Sequence, residues 1–269
     1  MKQAIEDLAP PVSGGADTGT LGKAMALVEM IAEAPAPMRF TDLLRQSGQP
    51  RGTLHRQLRH LLEEGLIEAD GEGAYVPGLR LLRLAARAWS RNEFRKLAAP
   101  HLQTLHDETG ETVHLALLRD AQVIYLDKVE AHQAVRMHSQ IGNASPAYCT
   151  GVGKAALSVL GDEVIRTRLE DIRFERFTDS THHDLESLLC DIEEIRRRGF
   201  AFDREEHQSG ICCVAAPIHV PGQGIIAGVS VTAPAYRADA ALLQAWSEPL
   251  RKAAAAIGAD IRAGLGPRR

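Results

Sequence analysis

The chain has 269 residues, 45% hydrophobic and 25% charged, which suits about two domains with ordinary cores and excludes global disorder. Its net charge of −4 hides an asymmetry: residues 20–96 carry 12 Lys/Arg against 9 Asp/Glu, and residues 97–269 carry 18 against 23. A mildly basic module joined to an acidic one fits a nucleic-acid-binding head on a domain with another task, while the absence of a long apolar run, of a secretory leader pattern and of a disulfide framework among four cysteines points to a cytoplasmic protein with free thiols and no membrane partner.

Residues 1–19 read as a flexible tail. From Thr20 the apolar spacing Leu21, Ala24, Met25, Leu27, Val28, Ile31 predicts a helix that Pro35 and Pro37 end. A second short helix follows, with Thr41 as its expected N-cap and Leu43 and Leu44 inward, closing at Ser47-Gly48. A third starts around Pro50, a residue allowed in a first turn. Its Leu54, Leu58, Leu61 and Leu62 make one buried stripe, and its other face shows Arg51, Thr53, His55, Arg56 and Arg59 with no acid among them. Such a helix, apolar behind and basic in front, suits the major groove of DNA. Residues near its start (Arg51, Thr53, His55, Arg56) are placed to reach bases, and Arg59 to meet phosphate. Two β-prone runs around Asp70-Gly71 then read as a hairpin. Helix, helix, glycine turn, helix, hairpin is the order of a winged helix-turn-helix; the alternative is an unrelated small helical domain with a hairpin.

Leu79 to Lys96 reads as one arginine-rich linker helix, either solvated or packed on a second subunit. The remainder alternates. A helix near 97–109 precedes strands at 112–118, 122–129 and 135–138. Helices follow near 152–160, 163–169 and 184–198, then strands near 200–203, 213–220 and 225–232, and a long helix over 238–263. This predicts an α+β domain, an antiparallel sheet flanked by helices, of a small-molecule-sensing type.

Three stretches of this second half carry polar chemistry. Ser145-Pro146-Ala147-Tyr148-Cys149-Thr150-Gly151-Val152-Gly153-Lys154 runs into a helix that Thr150 can cap. The free N–H groups of Gly151, Val152 and Gly153 are then expected to receive a carboxylate or phosphate; the bland alternative is an ordinary capped helix. No Walker A spacing is present. Asp203 to Pro217 is an acidic loop entering a strand, and Ser230 and Thr232 share one face of the last strand, lining a pocket or a solvated sheet. Cys213, His207 and Asp203 imitate a nucleophile, base and orienter, but packing is the commoner use of such a cysteine and no nucleophile elbow is present. A metal site drawn from Cys149, Cys213, His207 or His114 has no CxxC or HxxxH spacing behind it. No catalytic residue, metal or cofactor is therefore assigned.

Residues 20–264 resemble the IclR-type bacterial transcriptional regulators. The resemblance rests on Arg51-Gly52-Thr53-Leu54-His55-Arg56, Glu111-Thr112-Val113-His114-Leu115-Ala116, Tyr125-Leu126-Asp127-Lys128-Val129-Glu130, Thr150-Gly151-Val152-Gly153-Lys154-Ala155 and Cys213-Val214-Ala215-Ala216-Pro217. It implies a winged helix-turn-helix over 20–78, a linker helix over 79–96 and a GAF-like effector-binding domain over 97–265. It also implies a homodimer or tetramer that binds double-stranded operator DNA and switches a catabolic operon, as repressor or activator. Effector contacts carried over from the family fall on Ser145, Gly151, Val152, Asp203, Ile211, Cys213, Ser230 and Thr232. The run Pro146-Ala147-Tyr148-Cys149-Thr150-Gly151 looks like the ketodeoxygluconate-repressor subgroup. Ser145, Asp203 and Thr232 then suit a hydroxylated sugar or keto acid; the alternatives are an aromatic acid or a Cys/His hydrolase. Gly52, where relatives often carry Ser, and Cys212, where Arg or Thr is commoner, depart from the family pattern.

Overall fold

The computed structural model describes residues 19–131 and 139–264, so the tail expected over 1–19 lies almost wholly, and the strand expected at 135–138 entirely, outside the described residues. The chain divides into two compact units that meet at Asn92/Glu93.

In the head unit, helices α1 (Gly19–Glu33), α2 (Phe40–Ser47) and α3 (Arg51–Glu63) precede strands β1 (Ile67–Ala69) and β2 (Tyr75–Pro77) and helix α4 (Leu79–Ser90). Leu27, Val28 and Ile31 of α1 meet Leu43 of α2, Leu54, Leu58 and Leu61 of α3, and Ile67 of β1 in one core. Leu62 does not join it; it lies on the exposed side of α3, because position i+8 falls at the rim of a stripe already filled by i, i+4 and i+7. Gly48 sits at φ +62, the left-handed conformation that lets α2 stop and α3 start within three residues. Helix α2 begins two residues earlier than expected, with Arg39 rather than Thr41 at its N-cap and the Asp42 carboxylate accepting the Arg39 N–H.

The hairpin turn is also built differently from the Asp-Gly expectation. Asp70 accepts the N–H groups of Glu72 (2.9 Å) and Ala74 (2.8 Å) through Oδ1, and the positive φ belongs to Gly73 rather than Gly71. The turn is therefore organised by the aspartate side chain, and Met38 adds a bridge to Tyr75 beside it.

Helix α4 ends at Ser90, not Lys96, and α5 (Glu93–Thr109) starts the second unit. Arg95 and Lys96 thus belong to the second unit, where Arg95 donates to Asp127 at 2.8 Å. Helix α4 itself buries no residue; Leu79 and Leu82 remain 70% and 67% exposed.

The second unit is a six-stranded antiparallel sheet in the order β5-β4-β3-β8-β7-β6, formed by β3 (Thr112–Arg119), β4 (Gln122–Val129), β5 (Ala144–Pro146), β6 (Ala201–Arg204), β7 (Ile211–Val220) and β8 (Ile225–Pro234). Helices α5 and α9 (Ala240–Ala263) cover one face, with Leu102, Leu105, Leu250 and Ile257 against Val113, Leu115, Val214 and Val231. Helices α6 (Gly151–Leu157), α7 (Asp162–Leu169) and α8 (Leu185–Arg198) pack with Ala116, Leu118, Val123 and Ala215 in a second core. Neighbours such as Val214 and Ala215 point to opposite faces, and both faces are covered, so β7 is buried over most of its length. The short β5 and the 3-10 turn Ala147–Cys149 after it were not expected from periodicity, since three residues carry no period.

Candidate functional site

The head unit presents the polar face of α3. Arg51, His55, Arg56 and Arg59 are exposed and Thr53 is half-buried. Phe40 of α2 organises this face: the Arg51 guanidinium lies 5.2 Å from its ring centroid and the His55 ring meets its edge at 6.3 Å. A cation over an aromatic face is held in place without losing its charge. Arg59 faces Glu63 at 3.6 Å, an exposed pair of small energy, whereas Arg56 pairs with no acid among the described residues. Gly52 has open space where a Cβ would stand, so packing does not require glycine there. Gln57, buried in the back of the helix, was not foreseen, because a glutamine breaks no apolar period visibly.

In the second unit, strand register assembles a polar site. Asp203 of β6 is opposite Cys213 of β7, Cys213 is opposite Thr232 of β8, and Ser230 of β8 is opposite His114 of β3. Together they border a cavity of about 320 Å³. Ser145, Gly151, Val152 and Ile211 border it as well, so all eight residues carried over from the resemblance meet at one place. Tyr125, Ser139 and Asn143 are also part of the wall, and the sequence reading does not include them. Tyr125 lay within a quoted stretch, but only the sheet order puts β4 beside the cavity.

The start of α6 is pressed onto this sheet. A Cβ at Gly151 would collide with Cys213 Sγ, one at Gly153 with the Ala147 backbone, and one at Gly228 with Val152. The glycines are there for close approach. The expectation of three free N–H donors needs correction. Thr150 Oγ1 accepts from Gly153 at 3.3 Å, so one of the three donors is occupied inside the protein.

The cavity wall is polar, and burial shifts its titratable side chains towards their neutral forms. His114 Nδ1 lies 3.2 Å from Thr232 Oγ1 and its Nε2 lies 2.7 Å from Ser139 Oγ. Burial, helped by the Lys128 charge, lowers its proton affinity to about 4, so it is an uncharged imidazole at neutral pH. Burial raises the Tyr125 phenol and the Cys149 and Cys213 thiols. A thiol kept protonated is no nucleophile, which removes the physical basis of the Cys213–His207–Asp203 resemblance to a hydrolase. Asp203 is itself pushed up to about 7 by burial and by the Glu206 charge, although it accepts the Glu206 N–H at 2.8 Å.

Behind Asp203 stands a buried ion cluster. Lys154 of α6, 1% exposed, has Nζ 2.6 Å from Asp191 Oδ2 and 2.6 Å from Glu206 Oε1. Burial works against its charge, but the two carboxylates outweigh that and keep the ammonium protonated. His182, Asp191 and Glu206 bring donor atoms within 4.8 Å of one another. The Lys154 ammonium already supplies the cation between the two carboxylates, and we assign no metal there.

Two family models cover most of the chain: the IclR helix-turn-helix domain matches residues 20–71, and the bacterial transcriptional regulator IclR C-terminal domain matches residues 86–259. The chain belongs to the IclR family of bacterial transcriptional regulators. Among similar proteins, the HTH-type transcriptional regulator BhcR of Paracoccus denitrificans is 32% identical over 260 residues, covering 95% of this chain and 91% of that one. The HTH-type transcriptional regulator KdgR of Escherichia coli is 30% identical over 223 residues, covering 82% and 85%. Among solved structures, an IclR homologue from Microbacterium hydrocarbonoxydans complexed with 4-hydroxybenzoate superposes with a TM-score of 0.74 at 26% identity, covering 91% of this chain and 100% of that one. This IclR-type regulator is thus a DNA-binding protein and not an enzyme, with an N-terminal helix-turn-helix and a C-terminal α+β domain. No helix of its described residues is long and apolar enough to cross a membrane.

Proposed function

We propose that this regulator acts in the cytoplasm on the operator of a catabolic operon, that the front of α3 contacts that operator, and that the cavity of about 320 Å³ takes a small hydroxylated organic acid as effector. The observation that carries the reading is the wall chemistry. Ser145, Ser230, Thr232, Tyr125 and Asp203 surround one space with hydroxyl and carboxyl groups, which suit a ligand bearing several hydroxyls of its own. A thermal-shift screen with D-gluconate, 2-keto-3-deoxygluconate, pyruvate and 4-hydroxybenzoate tests it, because a ligand that binds the folded state raises apparent stability. Stabilisation by a hydroxylated acid, lost in Asp203→Ala, is the expected result. Stabilisation by 4-hydroxybenzoate alone would favour an aromatic effector, a second reading supported by the edge-on His114–Tyr125 ring pair at 5.4 Å.

Effector binding acts on DNA affinity only if it discriminates between two arrangements of the protein. The covalent route from cavity to α3 runs through the α5–α4 junction at residues 91–92, and that junction is where we place transmission. The uncovered Leu79 and Leu82 of α4, with Leu21 of α1 at 71% exposure, support assembly into a homodimer or tetramer. Sedimentation analysis of Leu79→Glu/Leu82→Glu, expected to shift toward monomer, checks this.

A further inference from the structure

One acid beside the cavity makes no ion pair among the described residues. Lys154 lies 2.6 Å from both Asp191 and Glu206, and the Arg198 guanidinium lies 3.3 Å from Asp191. Two cations thus face two carboxylates, and His182 Nε2, 3.5 Å from Asp191 and 3.7 Å from Glu206, faces the same pair. Asp203 is the third acid. Among the described residues it makes no ion pair and accepts the Glu206 N–H at 2.8 Å, and no described Lys or Arg side chain lines the cavity it borders.

The Lys154 charge favours an ionised Asp203 and the Glu206 charge opposes it; its other described neighbours bring no positive charge. Cys213 on β7 and Cys149 ahead of α6 stay thiols, and Tyr125 on β4 stays a phenol. His114 on β3 and His207 after β6 both have their proton affinity lowered by burial. An ionised Asp203 would therefore share Lys154 with Asp191 and Glu206, and a carboxylate ligand entering the same space would add a further negative charge. Two carboxylates in one site cannot both stay ionised at small cost.

We propose that Asp203 is protonated when an anionic effector is bound and donates that O–H to the effector's carboxylate, so that the regulator takes up a proton together with the anion. This rests on the cavity being the site of an organic acid. The shared proton replaces like-charge repulsion by a charge-assisted O–H···O⁻ hydrogen bond. It comes from solvent, and no covalent bond is made. The effector then acts more strongly at lower pH. The raised position of Asp203, about 7, places the change near neutrality.

Two measurements test this. The first uses no ligand: thermal unfolding of the full-length wild type and of Asp203→Asn from about pH 4 to 9. A carboxyl that holds its proton more tightly folded than unfolded loses stability as pH rises from its unfolded value of about 3.9 to its folded one. The Asp203→Asn protein is expected to gain in Tm over wild type through that window and to keep a constant lead above it. Parallel curves over the whole range would overturn the proposal.

The second is calorimetry on wild type with 2-keto-3-deoxygluconate, D-gluconate and 4-hydroxybenzoate at about pH 8, in two buffers of different ionisation enthalpy. The expected result is a proton uptake approaching one per bound anion and a Kd that weakens about tenfold per pH unit above the Asp203 value. In Asp203→Asn, which keeps a donor, the Kd should lose that dependence. An acid that binds without proton uptake would overturn the proton and leave the cavity assignment standing. If none of the three binds, the organic-acid reading falls and the proposal falls with it. The wild-type buffer comparison decides the matter even where the variant fails to fold.

Discussion

On α3, Arg51, His55, Arg56 and Arg59 stand in solvent; in the sensor unit, His114, Asp203, Ser230 and Thr232 are enclosed. Both regions are polar, and both are candidate binding faces. The exposed groups keep their hydration and need only one ring, Phe40, to organise two of them. The enclosed groups have to satisfy each other, and their protonation is rearranged by burial. A solvated face tolerates single changes with graded losses, whereas an enclosed network fails as a unit.

The largest effect that would test this contrast is at Lys154. Lys154→Met leaves Glu206 without its ion-pair partner and Asp191 with Arg198 alone, and we expect a loss of about 3–5 kcal/mol in urea unfolding. Gly151→Ala should cost about 1–3 kcal/mol by overpacking and abolish the thermal-shift response to effector acids, since the new Cβ has to displace Cys213 Sγ. Operator affinity measured by fluorescence anisotropy without effector should stay unchanged; a matching loss there would mean the two units are not separable.

Arg56→Ala should weaken operator binding by about 1–3 kcal/mol if it reads a base. Arg59→Ala should lower the slope of log affinity against log salt by about one, as for a phosphate contact. Equal responses of both variants on all DNA sequences would place both on the backbone. The smallest effect is at Gly52, where open space and helical backbone predict that Gly52→Ala stabilises by up to about 1 kcal/mol. A destabilised variant would show a crowding that the open surface of α3 does not.

Legibility in the sequence followed the length and regularity of each signal. The stripe Leu54, Leu58, Leu61 and the long apolar strands β7 and β8 carry a period and were readable. The 3-10 turn and β5 before α6 do not. The linker was read six residues too long because Arg91 to Lys96 continue its charge pattern, while only the packing of Phe94 and Ala98 into the sensor core shows that α5 has begun. Cavity residues that lay in motif stretches were nameable one by one, but Ser139 and Asn143, outside any motif, were not.

By itself the sequence determined the element types, the order of the two units and the identity of α3 as the basic helix, because hydrophobic period and turn chemistry are local properties. Only the tertiary structure decided which polar groups are adjacent. The register of β6, β7, β8 and β3 brings together residues more than a hundred positions apart, such as His114 and Ser230. It also decided that Thr150 occupies one of the donors the helix start is expected to offer. It decided, finally, that Asp203 borders the cavity and makes no ion pair among the described residues. Protonation depends on burial and on neighbouring charge, and neither is a property of a residue's place in the chain.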